Sequence, residues 1–273
     1  MSNLLLQFTK GLISLDFRRY SIESCFRFAS ENGYDGVELW GGRPHAYPPD
    51  VLKRDSGEIL KEAKRFHLEL PMYTPNAIGL PVNLCSPLAF EREEGLLYYQ
   101  EAVEAAARLQ ISKVLVVADH PGYEMPVDDA RKWFADAVEH LMRVASKYGI
   151  TISVEPLTPM ESPVITTADD CLRLMKSVSG KNLDFVLDIV PAAVMYDPIS
   201  SYFMKLGRDR IGHVHICNTD GMTDAHLLPR QGILDYAALL EELSAVWQYD
   251  GYVIRELYSS SARDPVAAAI SAR

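Results

Sequence analysis

Short apolar runs alternate with longer amphipathic segments along this chain, and the alternation is the main clue to its architecture. The apolar runs are rich in β-branched and aromatic residues and short enough to be buried strands. The predicted strands lie near 4–8, 36–40, 69–73, 113–118, 151–155, 184–188, 211–216 and 252–257. The predicted helices lie at 21–32, 51–66, 87–109, 128–148, 167–177 and 235–247, with a shorter one at 197–207.

Eight strand-then-helix units without a linker or repeat predict a closed (β/α)₈ TIM barrel, α/β in class, forming a single domain over residues 1–273. An open doubly wound sheet is the alternative. That alternative is disfavoured because no G-x-G-x-x-G follows the first strand and no G-x-x-x-x-G-K-[ST] is present. The last segment, "DPVAAAISAR" at 264–273, is expected to form at best an abbreviated final helix.

The charge balance narrows the range of partners. Lys and Arg number 27 against 37 Asp and Glu, so the net charge is -10, which disfavours nucleic acid and suits a neutral or cationic small molecule. No apolar run approaches the ~18 residues of a membrane span, and the N-terminus lacks signal-peptide features. The four cysteines are far apart and fit neither a zinc ribbon nor a disulfide framework. We therefore expect a soluble cytoplasmic protein.

The stretch "TISVE" at 151–155 places a carboxylate, Glu155, at the end of a strand that is otherwise buried. A buried charge is costly unless a partner compensates it. In a TIM barrel the functional site is built at the carboxyl ends of the strands, so the residues at those ends are informative. The last four predicted strands all carry a metal-binding type of side chain at or near this end: Glu155, Asp188, His215 and Glu256.

These four side chains are expected to converge, because they are spaced by 33, 27 and 41 residues, each about one βα unit. A single acid at a strand end is more often a helix N-cap or an ion-pair partner. Three converging carboxylates, however, would repel one another unless a cation lay between them. The oxygen-rich set with one imidazole suits one divalent ion, Mn²⁺, Co²⁺, Mg²⁺ or Zn²⁺, and does not choose among them.

Five segments resemble the xylose isomerase-like barrels of sugar isomerases and epimerases, and among these the bacterial fructoselysine 3-epimerase branch. They are "GYDGVELWGGRPHAYPPD" (33–50), "VEPLTPMES" (154–162), "LDIV" (187–190), "HVHICNTDG" (213–221) and "DAHLLPRQG" (224–232). The resemblance implies that Glu155, Asp188, His215 and Glu256 bind the metal. It also implies that Glu155 and Glu256 exchange protons at C3 of a ketose or ketosamine through a cis-enediolate stabilised by the metal.

Six further residues are predicted to contact the sugar substrate. Glu161 matches a family position that contacts a substrate hydroxyl or ketone, and Asp224 is expected to orient His226. By contrast His213 is expected to point away from His215, in packing or an outward contact. The six predicted substrate-binding residues are Glu161, His120, His226, Trp40, His45 and Tyr73.

Two departures from the family pattern leave the substrate open. Many ketose 3-epimerases have a histidine where this chain has Pro191, and "PRQG" at 229–232, with Arg230, replaces "PG-x-G". The alternatives are another ketose 3-epimerase or sugar isomerase, an inosose-type dehydratase, a sugar-binding protein, or an endonuclease IV-like hydrolase suggested by Asp224-Ala225-His226. Members of this family commonly associate, so a homo-oligomer is also open.

Overall fold

Eight parallel strands close into a barrel in the computed structural model, which describes residues 7–53, 57–78, 81–257 and 266. Each strand pairs with the next along the chain, and the last pairs with the first. The predicted TIM barrel is therefore confirmed. The strands are β1 (Thr9–Ile13), β2 (Gly36–Gly41), β3 (Tyr73–Pro75), β4 (Lys113–Val117), β5 (Thr151–Glu155), β6 (Leu183–Asp188), β7 (Ile211–Ile216) and β8 (Tyr252–Arg255).

Helices connect the strands, and two of their boundaries follow signals that are visible in the sequence. The Thr167 side chain caps a helix by accepting from Asp170 N, and Gly149 stands at φ 69° just after another helix ends. Within the described ranges no helix is long and apolar enough to cross a membrane. The helices are α1 (Ile22–Glu31), α2 (Pro48–Lys53), α3 (Gly57–Arg65), α4 (Ala89–Arg108), α5 (Val127–Ser146), α6 (Ala168–Ser177), α7 (Ile189–Val194), α8 (Ile199–Leu206) and α9 (Tyr236–Glu241), which continues as a π-helix over Glu242–Val246.

The first strand differs most from its prediction. The expected strand at 4–8 includes residues 4–6, which lie outside the described residues, whereas β1 begins at Thr9. A Cβ on Gly11 would lie 2.5 Å from Ile254 Cδ1 and 2.9 Å from the Gly36 carbonyl oxygen. The strand needs this close approach of the backbone, so it contains a glycine where the apolar pattern would call for a larger residue.

The third strand is also displaced from its prediction. It was expected at 69–73 but begins at Tyr73, and Glu69 pairs with Gly36 only through an isolated bridge. Pro71 lies between them and lacks the N–H that a continuous ladder requires, which accounts for the shift.

The helix predictions differ from the structure in three places. The segment expected at 51–66 forms two helices, α2 and α3, and residues 54–56 between them lie outside the described residues. Helix α7 was not predicted; it begins directly after β6, where the Asp188 side chain accepts from Val190 N as its N-cap. Apart from Val266, the predicted final helix at 264–273 lies outside the described residues.

The inside of the barrel is polar at several levels. Near the amino ends of the strands, Asp184 accepts from the Lys113 ammonium at 2.8 Å and from the Ser153 hydroxyl. Large apolar side chains, including Tyr99, Phe134 and Phe185, fill the layer between strands and helices. Because all the strands are parallel, their carboxyl ends meet at one end of the barrel, where the candidate site lies.

Candidate metal centre

Three of the four predicted ligands meet around one imidazole nitrogen. Nδ1 of His215 lies 2.7 Å from Oε1 of Glu155 and 3.0 Å from Oε2 of Glu256. Glu155 ends β5, His215 lies in β7, and Glu256 follows the last residue of β8. The three side chains converge because their strands deliver them to the same end of a closed barrel.

Asp188 joins this group through Glu256. Ligand atoms of Asp188, Glu256 and His226 all lie within 4.8 Å of one another. Nε2 of His226 lies 3.5 Å from Oδ2 of Asp188 and 3.8 Å from Oε2 of Glu256. The second oxygen of Asp188 accepts from Val190 N at 2.9 Å, which leaves Oδ2 directed toward the cluster. The structure therefore brings all four predicted residues together and adds His226 as a neighbour.

The cluster contains buried polar atoms without hydrogen-bond partners. Oε1 of Glu155 and Nδ1 of His215 are both buried, and neither makes a hydrogen bond of good geometry with any residue that the structure describes, although the two atoms lie 2.7 Å apart. Burial raises the pKa of Glu155 to about 8; His215 opposes this effect, while Glu256 and Asp188 add to it. Burial disfavours a proton on His215, but the surrounding carboxylates, including Glu155 and Glu256, outweigh this effect and raise its pKa, so the cluster attracts positive charge. A divalent cation fits this donor set, because carboxylate oxygens and one imidazole nitrogen suit Mn²⁺, Co²⁺, Mg²⁺ or Zn²⁺.

A residue that sequence reasoning missed lies on the other side of the same imidazole. The side chain of Glu38, in β2, is fully buried, and its Oε2 lies 2.9 Å from Nε2 of His215 and 2.7 Å from Nε2 of His213. The Thr74 hydroxyl donates to Oε1. Burial alone would raise the pKa of Glu38, but His215 and His213 reverse this effect and hold the pKa below its usual range. Because an ionised carboxylate only accepts, both imidazoles donate from Nε2.

The expectation for His213 was wrong. Residues two apart on a strand share a face, so His213 and His215 both point toward Glu38. Their rings lie 5.5 Å apart at 80°. His213 belongs to the polar interior of the barrel and does not make an outward contact.

Glu161 and Asp224 face each other beside the cluster. Oε2 of Glu161 accepts from Thr158 N at 3.1 Å and from its hydroxyl at 3.0 Å. Burial, reinforced by Asp224, raises the pKa of Glu161 to about 7. Nδ1 of His226 lies 3.4 Å from the Asp224 carbonyl oxygen and 3.9 Å from its Oδ1, so the orienting contact from the Asp224 side chain stays a prediction.

His120 lies in the loop after β4 and is half-buried. Its Nδ1 accepts from Gly122 N at 2.9 Å, so the neutral ring carries its proton on Nε2. The ring also lies 4.8 Å from that of Tyr123, which is 96% exposed. His120 therefore has a donor available for a ligand at the carboxyl end of the barrel.

The three residues predicted to form a wall for the sugar have different positions. Trp40 lies two residues after Glu38 in β2 and therefore on the same face of the strand. It lines the barrel interior, nearer the carboxyl end than Glu38. Both ring nitrogens of His45 are engaged, Nε2 with the Tyr20 carbonyl at 3.0 Å and Nδ1 with the Ser14 hydroxyl at 3.3 Å. Burial lowers the pKa of His45 and keeps the ring neutral. His45 thus holds a loop in place and has no ring nitrogen left for a sugar.

Tyr73 does not belong to this wall. Thr74, the next residue on β3, reaches Glu38 inside the barrel, so Tyr73 points outward on the alternating strand. Tyr73 is 0% exposed, and its hydroxyl donates to the Ala46 carbonyl. Tyr73 is part of the hydrophobic core outside the barrel strands, which corrects the prediction of a substrate contact.

Comparison with known proteins places the chain in a family. A model described as "Xylose isomerase-like TIM barrel" matches residues 26–272. The chain belongs to the xylose isomerase-like TIM barrel family. It is 34% identical to the fructoselysine 3-epimerase of Shigella flexneri over 255 residues, which cover 93% of this chain and 92% of that protein. It is also 27% identical to the 3-dehydro-D-guloside 4-epimerase of Escherichia coli K12, with 85% of each chain covered.

Two solved structures share this fold. The apo 3-keto-D-glucoside 4-epimerase of E. coli aligns with a TM-score of 0.78 at 23% identity, over 96% of this chain and 98% of that one. The IolI protein with a bound zinc atom aligns with a TM-score of 0.79 at 20% identity, over 97% and 95%. At these identities the likeness shows the fold alone. The curated relatives named above confirm the predicted enzyme class, a carbohydrate epimerase of the isomerases.

The two departures from the family pattern lie in different surroundings. Pro191 is buried in helix α7, three residues after Asp188, and offers no ligand atom to the cluster. Arg230 is exposed in the loop after β7. Pro191 therefore changes the wall beside the candidate metal centre, whereas Arg230 contributes no buried charge to it.

Proposed function

We propose that this carbohydrate epimerase is metal-dependent and inverts C3 of a ketose or ketosamine of the fructoselysine and psicoselysine type. The relative at 34% identity that bears the name fructoselysine 3-epimerase supports the substrate class. The observation that carries the chemistry is a pair of glutamates, the buried Glu155 and the partly buried Glu256, whose carboxylate oxygens lie 2.7 and 3.0 Å from one imidazole nitrogen.

Glu155, Asp188, His215 and Glu256 are the proposed metal ligands. When bound, the cation supplies Lewis acidity, which lowers the cost of negative charge on the substrate's C2 and C3 oxygens. The ligands in turn relieve the mutual repulsion of three carboxylates by sharing one cation. His215 offers Nδ1 for this role because its Nε2 is committed to Glu38.

Glu155 and Glu256 are the proposed acid and base. One carboxylate removes the proton from C3, and the other returns a proton to the opposite face of the resulting enediolate, so the configuration inverts without a change in oxidation state. Burial raises the pKa of Glu155 to about 8 in the metal-free protein, and a bound cation would oppose this effect and favour the ionised form that a base requires. Which glutamate acts as base depends on the configuration of the substrate.

Four residues around the cluster are proposed to orient the sugar. Glu161 and His226 lie beside Asp224 and Asp188, where they can hold hydroxyl groups near C2 and C3. His120 has its Nε2 donor available, as its Nδ1 is occupied by Gly122. Trp40 presents an indole to the apolar face of the sugar. The proposed orienting residues are therefore Glu161, His226, His120 and Trp40.

Isotope exchange tests the proposal directly. Protein loaded with Mn²⁺, Co²⁺, Mg²⁺ or Zn²⁺ is incubated in D₂O with fructoselysine and with free ketoses, and deuterium is located by NMR. The proposal requires deuterium at C3 together with the C3 epimer. Label at C4 instead would favour the reaction named for the 4-epimerase relative. Absence of exchange with every ketose and metal tested would rule the proposal out.

A further inference from the structure

We propose that Glu38 is a positioning residue that fixes the tautomer and orientation of His215, so that Nδ1 is presented to the metal. The inference rests on the proposed function for the identity of the ligand set. Glu38 is not one of the four proposed ligands; it acts through the His215 imidazole that it binds.

Hydrogen bonds to both carboxylate oxygens fix the orientation of the Glu38 side chain. Oε2 is contacted by Nε2 of His215 at 2.9 Å and Nε2 of His213 at 2.7 Å, while Oε1 receives the Thr74 hydroxyl. None of the three partners is on the same strand as Glu38: the two imidazoles are on β7 and the threonine is on β3. The carboxylate is thus held across the barrel interior, with no exposed surface.

The contact with Glu38 also determines the state of Nδ1, the other ring nitrogen of His215. A ring that donates from Nε2 to Glu38 keeps its proton there, which leaves a lone pair on Nδ1 when the ring is neutral. That atom is buried, has no hydrogen-bond partner among the described residues and faces the carboxylates of Glu155 and Glu256. A lone pair that faces carboxylate oxygens at 2.7 Å is repulsive unless a cation or a proton lies between them. The Glu38 contact therefore selects the nitrogen that must take a positive partner.

His213 gives the arrangement a second support. Its Nε2 binds the same carboxylate oxygen, and its ring lies over that of Tyr252, with centroids 6.3 Å apart and planes at 25°. Because His213 occupies Oε2 together with His215, the carboxylate cannot rotate away from the metal ligand without losing a second buried hydrogen bond. His213 thereby helps to hold Glu38 in place.

The matched comparison is between two buried carboxylates of the barrel interior. Glu38→Gln keeps the shape of the side chain but removes the charge that holds the two Nε2 protons. Asp184→Asn makes the same change at a side chain that contacts Lys113 and Ser153 and is remote in the hydrogen-bond network from His215. Outer-sphere partners of this kind are worth about 10–100-fold in metal affinity.

Zinc affinity, measured by competition with a chromophoric chelator, is the first readout. We expect Glu38→Gln to weaken Zn²⁺ binding by about 10–100-fold and Asp184→Asn to change it by less than about threefold. Circular dichroism and thermal unfolding establish that both variants are folded. A folded Glu38→Gln protein that binds Zn²⁺ as tightly as the parent overturns the inference. An equal loss of Zn²⁺ affinity in the Asp184→Asn protein also overturns the inference, because removing any buried charge would then weaken Zn²⁺ binding.

The tautomer of His215 is the second readout, and it does not depend on activity or on the variant's stability. Long-range ¹H–¹⁵N correlation spectra of the zinc-loaded parent protein should show His215 with a protonated Nε2 and a metal-bound Nδ1. A protonated Nδ1, or a metal on Nε2, overturns the inference. Epimerase activity is assayed separately: a protein with this tautomer and this affinity pattern but without C3 exchange fails only the proposed function.

Discussion

Nδ1 of His215 lies 2.7 Å from Oε1 of Glu155, and within the described part of the chain neither of these buried atoms has a hydrogen-bond partner. At this distance a proton or a cation must lie between the two atoms, because their lone pairs would otherwise repel each other. Glu256 and Asp188 bring further carboxylates to the same place, so a divalent cation would relieve the repulsion within the cluster. This contact predicts how metal binding and the loss of the Glu155 carboxylate affect the protein.

Metal binding is expected to stabilise the fold. A ligand present at 100 times its Kd adds about 2.7 kcal/mol to the free energy of unfolding, so Tm should rise by roughly 5–10 °C for a domain of this size. The measurement is thermal unfolding of chelator-treated protein before and after addition of Mn²⁺, Co²⁺, Mg²⁺ or Zn²⁺. The double variant Asp188→Asn, Glu256→Gln is the control, and its Tm should be nearly insensitive to the metal. Equal shifts in both proteins would indicate that the cations bind elsewhere.

Glu155→Gln is expected to separate stability from catalysis. The substitution removes one of the crowded buried carboxylates, so the metal-free variant should be at least as stable as the parent. C3 exchange should fall by about 10²–10⁴-fold, the usual contribution of a general acid or base. Urea unfolding of chelator-treated protein and deuterium exchange of loaded protein measure the two effects. A variant that loses stability and retains exchange would place Glu155 in a purely structural role.

The meeting of the four proposed ligands could be predicted because their positions depend only on topology. Parallel strands in a ring deliver every carboxyl end to one place, so Glu155, Asp188, His215 and Glu256 converge whatever the details of packing. The alternation of side chains along one strand gives relative orientation as well, and applying it correctly would have placed His213 beside His215.

Glu38 and Tyr73 were harder to predict, for one physical reason. Strands of a parallel barrel are buried on both faces, so hydrophobicity does not reveal which face looks inward. All six residues of β2 are buried, and only the structure shows that Glu38 faces the interior. The one available signal was a charge inside the apolar run "GVELW". For Tyr73 the predicted strand also ends too early, because it includes Pro71, which precedes the observed strand.

The stability of the fold should depend on pH through Asp16. Its Oδ1 accepts from Leu257 N at 3.2 Å, and burial raises its pKa to about 7, an effect that Arg255 opposes. The folded state therefore binds a proton more tightly than the unfolded state, whose carboxyl has a pKa of about 3.9. This contribution is fully present below about pH 4 and is lost as the pH rises through 7. The charged or titratable groups around Asp16 are Arg255, Glu256, His226 and Cys25.

Asp16→Asn isolates this effect because the amide does not titrate. The free energy of unfolding of the parent minus that of the variant should decrease between pH 5 and pH 8, by at most about 4 kcal/mol. Urea denaturation in chelator-treated buffer at both pH values measures the difference without a contribution from metal binding. A difference that is constant or increases with pH would mean that the Arg255 contact keeps Asp16 ionised throughout.

Tyr73 and Trp40 should respond differently to substitution, since one lies in the core and the other lines the barrel interior. Tyr73→Phe removes a hydroxyl that donates to the Ala46 carbonyl and leaves that buried acceptor unpaired, at a cost of about 1–3 kcal/mol of stability. C3 exchange should be unaffected. Trp40→Phe should instead raise the KM for the sugar while keeping most of the stability. Urea unfolding and steady-state kinetics distinguish the two. A Tyr73→Phe protein with unchanged stability and a raised KM would instead indicate that the Tyr73 hydroxyl contacts the sugar.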